Sequence, residues 1–178
     1  MRRRALVTGA AVGVAERLRD DGLVVVEADE PDGRIDVLVA CAARRFEGSI
    51  EATPEDVFRA LVEANLTSPF RVARSCFARM REQGGGSMIF VASAAGIRAE
   101  HELAAYSVTM AGLVAVAELF AAEGAAHGIR SNAVCPGEGL DVAPVVAWLA
   151  SDEAAHVNGA TLRIDDGAGA AMRVVTRA

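Results

Sequence analysis

The stretch from 90 to 112 limits this chain more than any other. An apolar, strand-like run, Phe90-Val-Ala-Ser93, leads into Ala-Ala-Gly96. Thirteen positions after Ser93, Tyr106 opens Tyr106-Ser-Val-Thr-Met110-Ala-Gly112, an Ala-rich segment of helical character. A strand that ends on a serine and a helix that begins just before a tyrosine can bring the two hydroxyls together at one edge of a sheet.

Elements of the same two kinds flank this stretch. Residues 4–9, Arg-Ala-Leu-Val-Thr8-Gly9, form a short β-type run that ends on a glycine. Ala10-Ala-Val-Gly13 then leads into helical spacing through Leu18, with a stop at Gly22. Strand, tight turn and helix in that order read either as an anion site of backbone N–H groups or as an ordinary structural βα turn. Leu23 to Ala28 is a second β-branched run, closed by Glu27-Ala-Asp29-Glu30. The turn cluster Pro31-Asp-Gly-Arg34 passes straight into an apolar run, Ile35 to Ala43. Thr53-Pro54-Glu55-Asp56 starts a helix with a capping hydroxyl, an early proline and acidic residues at the positive end of the dipole. That helix, 54–82, carries Val57, Leu61, Leu66, Phe70, Val72 and Phe77 and stops at Gly84-Gly-Gly86. Pro69 breaks it by withholding an N–H from the Asn65 carbonyl. Ser87 to Ala92 reads as a buried strand, and a helix over 102–126 lines up Leu103, Tyr106, Leu113, Ala117 and Phe120 on one apolar face.

Composition excludes several classes of function. With 18 basic and 24 acidic residues the net charge is −6, the wrong sign for a nucleic-acid partner. Cys41, Cys76 and Cys135 are far apart and odd in number, so neither a disulfide framework nor a metal site is expected. No apolar run reaches the roughly 18 residues that span a bilayer, and Arg2-Arg3-Arg4 precedes too short an apolar patch for a signal peptide. A cytoplasmic protein off the membrane, with residues 1–178 as one domain, is the expectation. All 18 basic residues are arginine, so no lysine is available for catalysis anywhere in the chain.

The Ser93–Tyr106 spacing resembles the active-site segment of the short-chain dehydrogenase/reductase family, and blocks from Ala5 to Gly167 resemble the rest of that family in order. Thr8, Gly9 and Gly13 match its Thr-Gly-x-x-x-Gly-x-Gly cofactor loop, with Ala15 in place of the last glycine and a shorter helix behind it. Asp36 to Val39 match its fourth strand, but the family's Asn-Asn-Ala-Gly has become Ala40, Cys41, Ala42 and Ala43. Asn65 matches the asparagine of its helix kink. Gly128 to Gly137 is similar to its sixth strand and the Pro-Gly turn beside the nicotinamide, here Pro136-Gly137. Residues 143–153 and 158–167 resemble its penultimate helix and last strand. The resemblance implies a doubly wound parallel α/β sheet (Rossmann-like) of about six strands with helices on both faces, lacking one peripheral strand and the substrate lid. It also implies NAD as cofactor, with Asp29 reading the adenosine ribose and repelling a 2′-phosphate, unless Asp29 is an ordinary solvated strand end. A homodimer or homotetramer through helices 54–82 and 102–126 follows from the same resemblance.

In the family the serine holds the substrate oxygen, the tyrosine moves its proton, and a lysine four residues after the tyrosine completes the set. That position is Met110. A free tyrosine is phenolate about once in a thousand molecules at neutral pH, and an ammonium about 4 Å away is worth up to ~4 kcal/mol toward changing that. Without it, oxidation of an alcohol suffers more than reduction of a carbonyl, because reduction needs the tyrosine protonated. Arg98, Arg130 and His101 are candidate stand-ins for the cation, each more simply read as a surface residue. With the lysine gone, a packing role is the favoured reading of Asn65. Three functions stay open: a weak NAD-dependent oxidoreductase on a small carbonyl or alcohol through Ser93 and Tyr106, a non-catalytic binding or oligomerisation partner, and non-redox chemistry of the Ser–Tyr pair.

Overall fold

The computed structural model describes residues 2–9, 12–28, 31–41 and 44–170. Its strands are β1 (Arg4–Thr8), β2 (Val24–Glu27), β3 (Val37–Cys41), β4 (Gly86–Val91), β5 (Ile129–Pro136) and β6 (Thr161–Ile164). All are parallel, in one sheet ordered β2-β1-β3-β4-β5-β6. The helices are α1 (Val14–Asp20), α2 (Glu55–Val62), α3 (Ser68–Gln83), α4 (Ala94–Ile97), α5 (Ala104–Gly124) and α6 (Ala143–Ala150).

The inner strands read as unbroken apolar runs because both of their faces are covered. Leu6, Leu38, Ala40, Met88 and Phe90 point to the face of α3 and α5, where they meet Cys76, Met80, Leu113 and Phe120. Their neighbours Ala5, Val7, Val37, Val39, Ile89 and Val91 point to the opposite face, against Val14 and Leu18 of α1 and Val146 and Leu149 of α6. The alternation of side chains along each strand thus divides one apolar run between two cores.

Among the described residues no strand or helix lies between β2 and β3, in line with the expected loss of a peripheral strand. From β1 the chain steps outward to β2 by way of α1, then returns past β1 to β3, and a right-handed return must use the other face. Ile35 is buried on that other face. Gln83 at the end of α3 clamps its backbone: the side-chain amide donates to the Ile35 carbonyl at 2.8 Å and accepts from the Ile35 N–H at 3.1 Å. β2 is left as a four-residue edge with Val24 half exposed, short enough to offer a poor template for pairing. At the other end of the sheet only residues 137–142 join β5 to α6, so the expected loss of the lid is visible too.

Three expectations need correction. The segment Ala104–His127, 24 residues, is long and apolar enough to cross a membrane by length and composition, contrary to the reading that no such run exists. In the fold it is a core helix, with Leu113, Ala117 and Phe120 packed on the sheet. Its apolar surface is also not confined to one face, since Val108 and Leu119 are exposed on the outer side beside Glu118 and Glu123. Finally, the break near Pro69 is a π-turn over Glu63–Thr67 that precedes the proline. The N–H of Ser68 reaches the carbonyl of Glu63, five residues back, and Asn65 sits buried in the widened turn.

Candidate active site

The C-terminal ends of the strands carry two adjoining clefts. The larger, about 820 Å³, is lined by the turn before α1 (Val12, Gly13), the first turn of α1 (Glu16), the end of β4 (Val91, Ala92), Pro136-Gly137 and the start of α6. The smaller, about 120 Å³, is lined by Ser93, Tyr106, Arg45, Glu100 and Glu138. It shares Ala92, Pro136 and Gly137 with its neighbour. Ligands in open parallel sheets bind at this edge, near the strand where the chain reverses its direction of travel.

Ser93 stands two residues past the end of β4 and caps α4. Its Oγ accepts the N–H of Ala95 at 3.2 Å, which fixes the side chain and leaves its O–H to donate to a ligand oxygen. Tyr106 lies in the first turn of α5, its ring partly buried against the α3–α5 core. What holds the two elements in register is a glycine. A Cβ on Gly96 would lie 2.7 Å from the Met110 carbonyl carbon and 2.8 Å from the Met110 Cβ, so only glycine lets α4 press against α5 here. Ser93 and Tyr106 therefore do converge, as their spacing predicts.

Met110, one turn beyond Tyr106, is fully buried in the α3–α5 core. Asn65 is also fully buried. Its Nδ2 donates to the Arg44 carbonyl at 2.7 Å and to Thr109 Oγ1 at 3.2 Å, and its Oδ1 accepts the Arg44 N–H at 3.0 Å. Thr109 Oγ1 in turn donates to the Tyr106 carbonyl at 2.9 Å. One buried amide thus ties the loop after β3 to the helix that bears the tyrosine.

None of the three candidate cations faces Tyr106. Arg98 and His101 are exposed and are not among the described residues that line its cleft. Arg130 sits at the start of β5 and donates to the carbonyls of Leu149 and Ser151, and its partial burial lowers its affinity for a proton. The cation that does line the cleft, Arg45, was missed. A signal for it existed: Arg44-Arg45 comes three residues after the last residue of β3, and the residues after a parallel strand face the ligand edge.

The cofactor residues divide. Gly13, with φ +76°, caps α1 and lines the large cleft together with Pro136 and Gly137. Thr8 and Gly9 end β1 but are not among the described residues lining it. At Gly9 the turn passes so near the Cys41 carbonyl oxygen that a Cβ would collide with it, and its φ is +74°. Asp29 lies outside the described residues. The large cleft lies at the strand ends, where parallel sheets of this kind place their ligands. Its charged lining of Glu16, Arg17, Asp20 and Asp141 carries an excess of negative charge. Below the clefts, burial pushes the Cys41 thiol up to about 12 and that of Cys135 up to about 11, so both are inert. Among the described residues no three His, Cys, Asp or Glu side chains gather as metal ligands.

Comparison with known proteins agrees with this architecture. Residues 23–141 match the family model for short chain dehydrogenase. An uncharacterized oxidoreductase of Thermotoga maritima is 30% identical over 84% of this chain and 73% of its own. An acetoacetyl-CoA reductase of Shinella zoogloeoides is 30% identical over 83% of this chain and 72% of its own. Among solved structures, an oxidoreductase of Burkholderia thailandensis superposes with a TM-score of 0.84 at 27% identity, covering 96% of this chain and 94% of that one.

Proposed function

The chain belongs to the short-chain dehydrogenase/reductase family, and from that premise we propose that it is a slow NAD(H)-dependent reductase of small carbonyl compounds. The observation that carries this reading is the meeting of Ser93 and Tyr106 in one small cleft that opens, at Ala92 and Pro136-Gly137, on the larger one. Gly13, Pro136 and Gly137 would hold the dinucleotide in that larger cleft, with Thr8 and Gly9 shaping the turn beneath it and Asp29 selecting NAD over NADP. A reduced nicotinamide, when bound there, supplies the hydride for the carbonyl carbon. Ser93 donates a hydrogen bond to the carbonyl oxygen, and Tyr106 delivers its proton to that oxygen as the alcohol forms.

Reduction is favoured over oxidation because it starts from the protonated tyrosine, the ordinary form at neutral pH. Met110 brings no ammonium to restore the phenolate for the reverse direction. The lack of that group places the rate at least ~10²-fold below what a complete set would give. The test is NADH consumption with a panel of small aldehydes and ketones at high protein concentration. Tyr106→Phe and Ser93→Ala should each abolish the signal, and a signal that survives Tyr106→Phe would remove the tyrosine from the chemistry.

One observation favours a second reading, a binding partner without catalysis. Ile50, Phe58, Val108 and Leu119 are exposed apolar side chains, and the first three line a groove of about 630 Å³ between α2, α4 and α5. A surface of that kind fits a homodimer or homotetramer through these helices. Sedimentation of Phe58→Glu and Val108→Glu against the parent chain tests the assembly apart from the chemistry.

A further inference from the structure

The reduction outlined above makes no use of Arg45, although its guanidinium lines the same cleft as Ser93 and Tyr106. In the structure its Nη1 stands 3.3 Å from Glu138, on the loop after β5, and its Nη2 stands 3.1 Å from Glu47 on its own loop. The carboxylate side chains are 80% and 71% exposed, against 39% for the arginine. Ion pairs so open to water are screened and weak, so either partner is readily exchanged. The backbone beneath is held far more firmly, because buried Asn65 binds both the N–H and the carbonyl of Arg44. A fixed loop therefore offers a guanidinium whose partners are replaceable.

We propose that Arg45 makes this cleft selective for small oxo acids, the substrate carboxylate taking the place of Glu138 on the guanidinium while its carbonyl lies between Ser93 and Tyr106. The inference rests on the reductase reading and names its substrate class. A planar guanidinium has five donors in a fork that matches a carboxylate in two-point contact, which no neutral ketone can return. The cleft, about 120 Å³, has room for about four waters at ~30 Å³ each, which suits an acid of a few carbons. Glu100 and Glu138 also line it, so an incoming anion has to displace Glu138 rather than join it. Neutralising Glu138 accordingly strengthens binding of the acid, and neutralising Arg45 removes it.

The test compares pyruvate with pyruvamide, its uncharged counterpart, by calorimetric titration of the full chain with and without saturating NADH. The parent protein should bind pyruvate about tenfold or more tightly than pyruvamide. Arg45→Gln should erase that preference while leaving pyruvamide binding and the thermal shift with NADH in place, and Glu138→Gln should enlarge it. Equal binding of acid and amide by the parent, or a preference that survives Arg45→Gln, overturns the proposal. A missing NADH shift would count against the reductase reading alone, because the preference measured without nucleotide still decides the role of Arg45.

Discussion

Replacing Met110 with lysine puts the family's usual residue back into a site that is no longer built for it. Met110 is fully buried, its Cβ is closed off by Gly96, and its surroundings are Leu113, Phe120 and the apolar undersides of β3 and β4. The nearby polar side chains are already engaged: Thr109 Oγ1 with the Tyr106 carbonyl and Asn65, and Asn65 with Arg44. An ammonium there finds no carboxylate in its apolar cluster, and leaving a charge buried without a counter-ion costs about 3–5 kcal/mol. For a chain of this length that is a fall in melting temperature of roughly 6–20 °C. The pH dependence identifies the cause. A buried lysine has its pKa depressed below the ordinary ~10.4, so the penalty is largest at low pH and disappears above that value, where folded and unfolded chains are both neutral. Urea unfolding of Met110→Lys and the parent at pH 7 and pH 10 should therefore give a stability gap that narrows toward alkali. A gap of the same size at both pH values, or no gap at pH 7, would refute the dry, partnerless site on which this reasoning depends.

Three further outcomes are expected. Gly96→Ala sets a methyl 2.7–2.9 Å from the Met110 and Ala111 backbone, so chemical denaturation should show a loss of about 1–3 kcal/mol as α4 is forced off α5. Asn65→Leu keeps the volume but strands the N–H and carbonyl of Arg44, which should cost about 2–4 kcal/mol in the same assay. The thiols of Cys41, Cys76 and Cys135 are pushed up by burial from 9.0 to about 12, 12 and 11, so folding holds each in the neutral form. That stability is complete below pH 9 and is lost as pH rises toward the folded values, by about 1.4 kcal/mol for each thiol and pH unit. Melting curves from pH 8 to 10.5 should fall more steeply for the parent than for a Cys→Ala triple variant.

The sheet was legible because a strand covered on both faces must be apolar throughout, as in Ile35 to Cys41 and Ser87 to Ala92. Even the missing strand could be read, from the direct passage of the turn at 31–34 into Ile35. What escaped depends on contacts distant in sequence. The helix break was placed at Pro69, the obvious chemical cause, but the turn is widened earlier because buried Asn65 reaches across to Arg44 and Thr109. The 102–126 helix shows one apolar face through its core side chains, although the outer positions Val108 and Leu119 are apolar as well. Arg45 had only its place after a parallel strand to mark it, and its position in the cleft rests on the clamp that buried Asn65, distant in the chain, holds on the Arg44 backbone.

The most direct test of the central claim is a thermal-unfolding titration of the purified chain with NAD⁺, NADH, NADP⁺ and NADPH. Nucleotide at 100 times Kd should add about 2.7 kcal/mol, a shift of roughly 5–10 °C. A saturable shift with NADH, larger than with NADPH, is the predicted result. No shift with any of the four at millimolar concentration would contradict nicotinamide-dependent reduction by this chain.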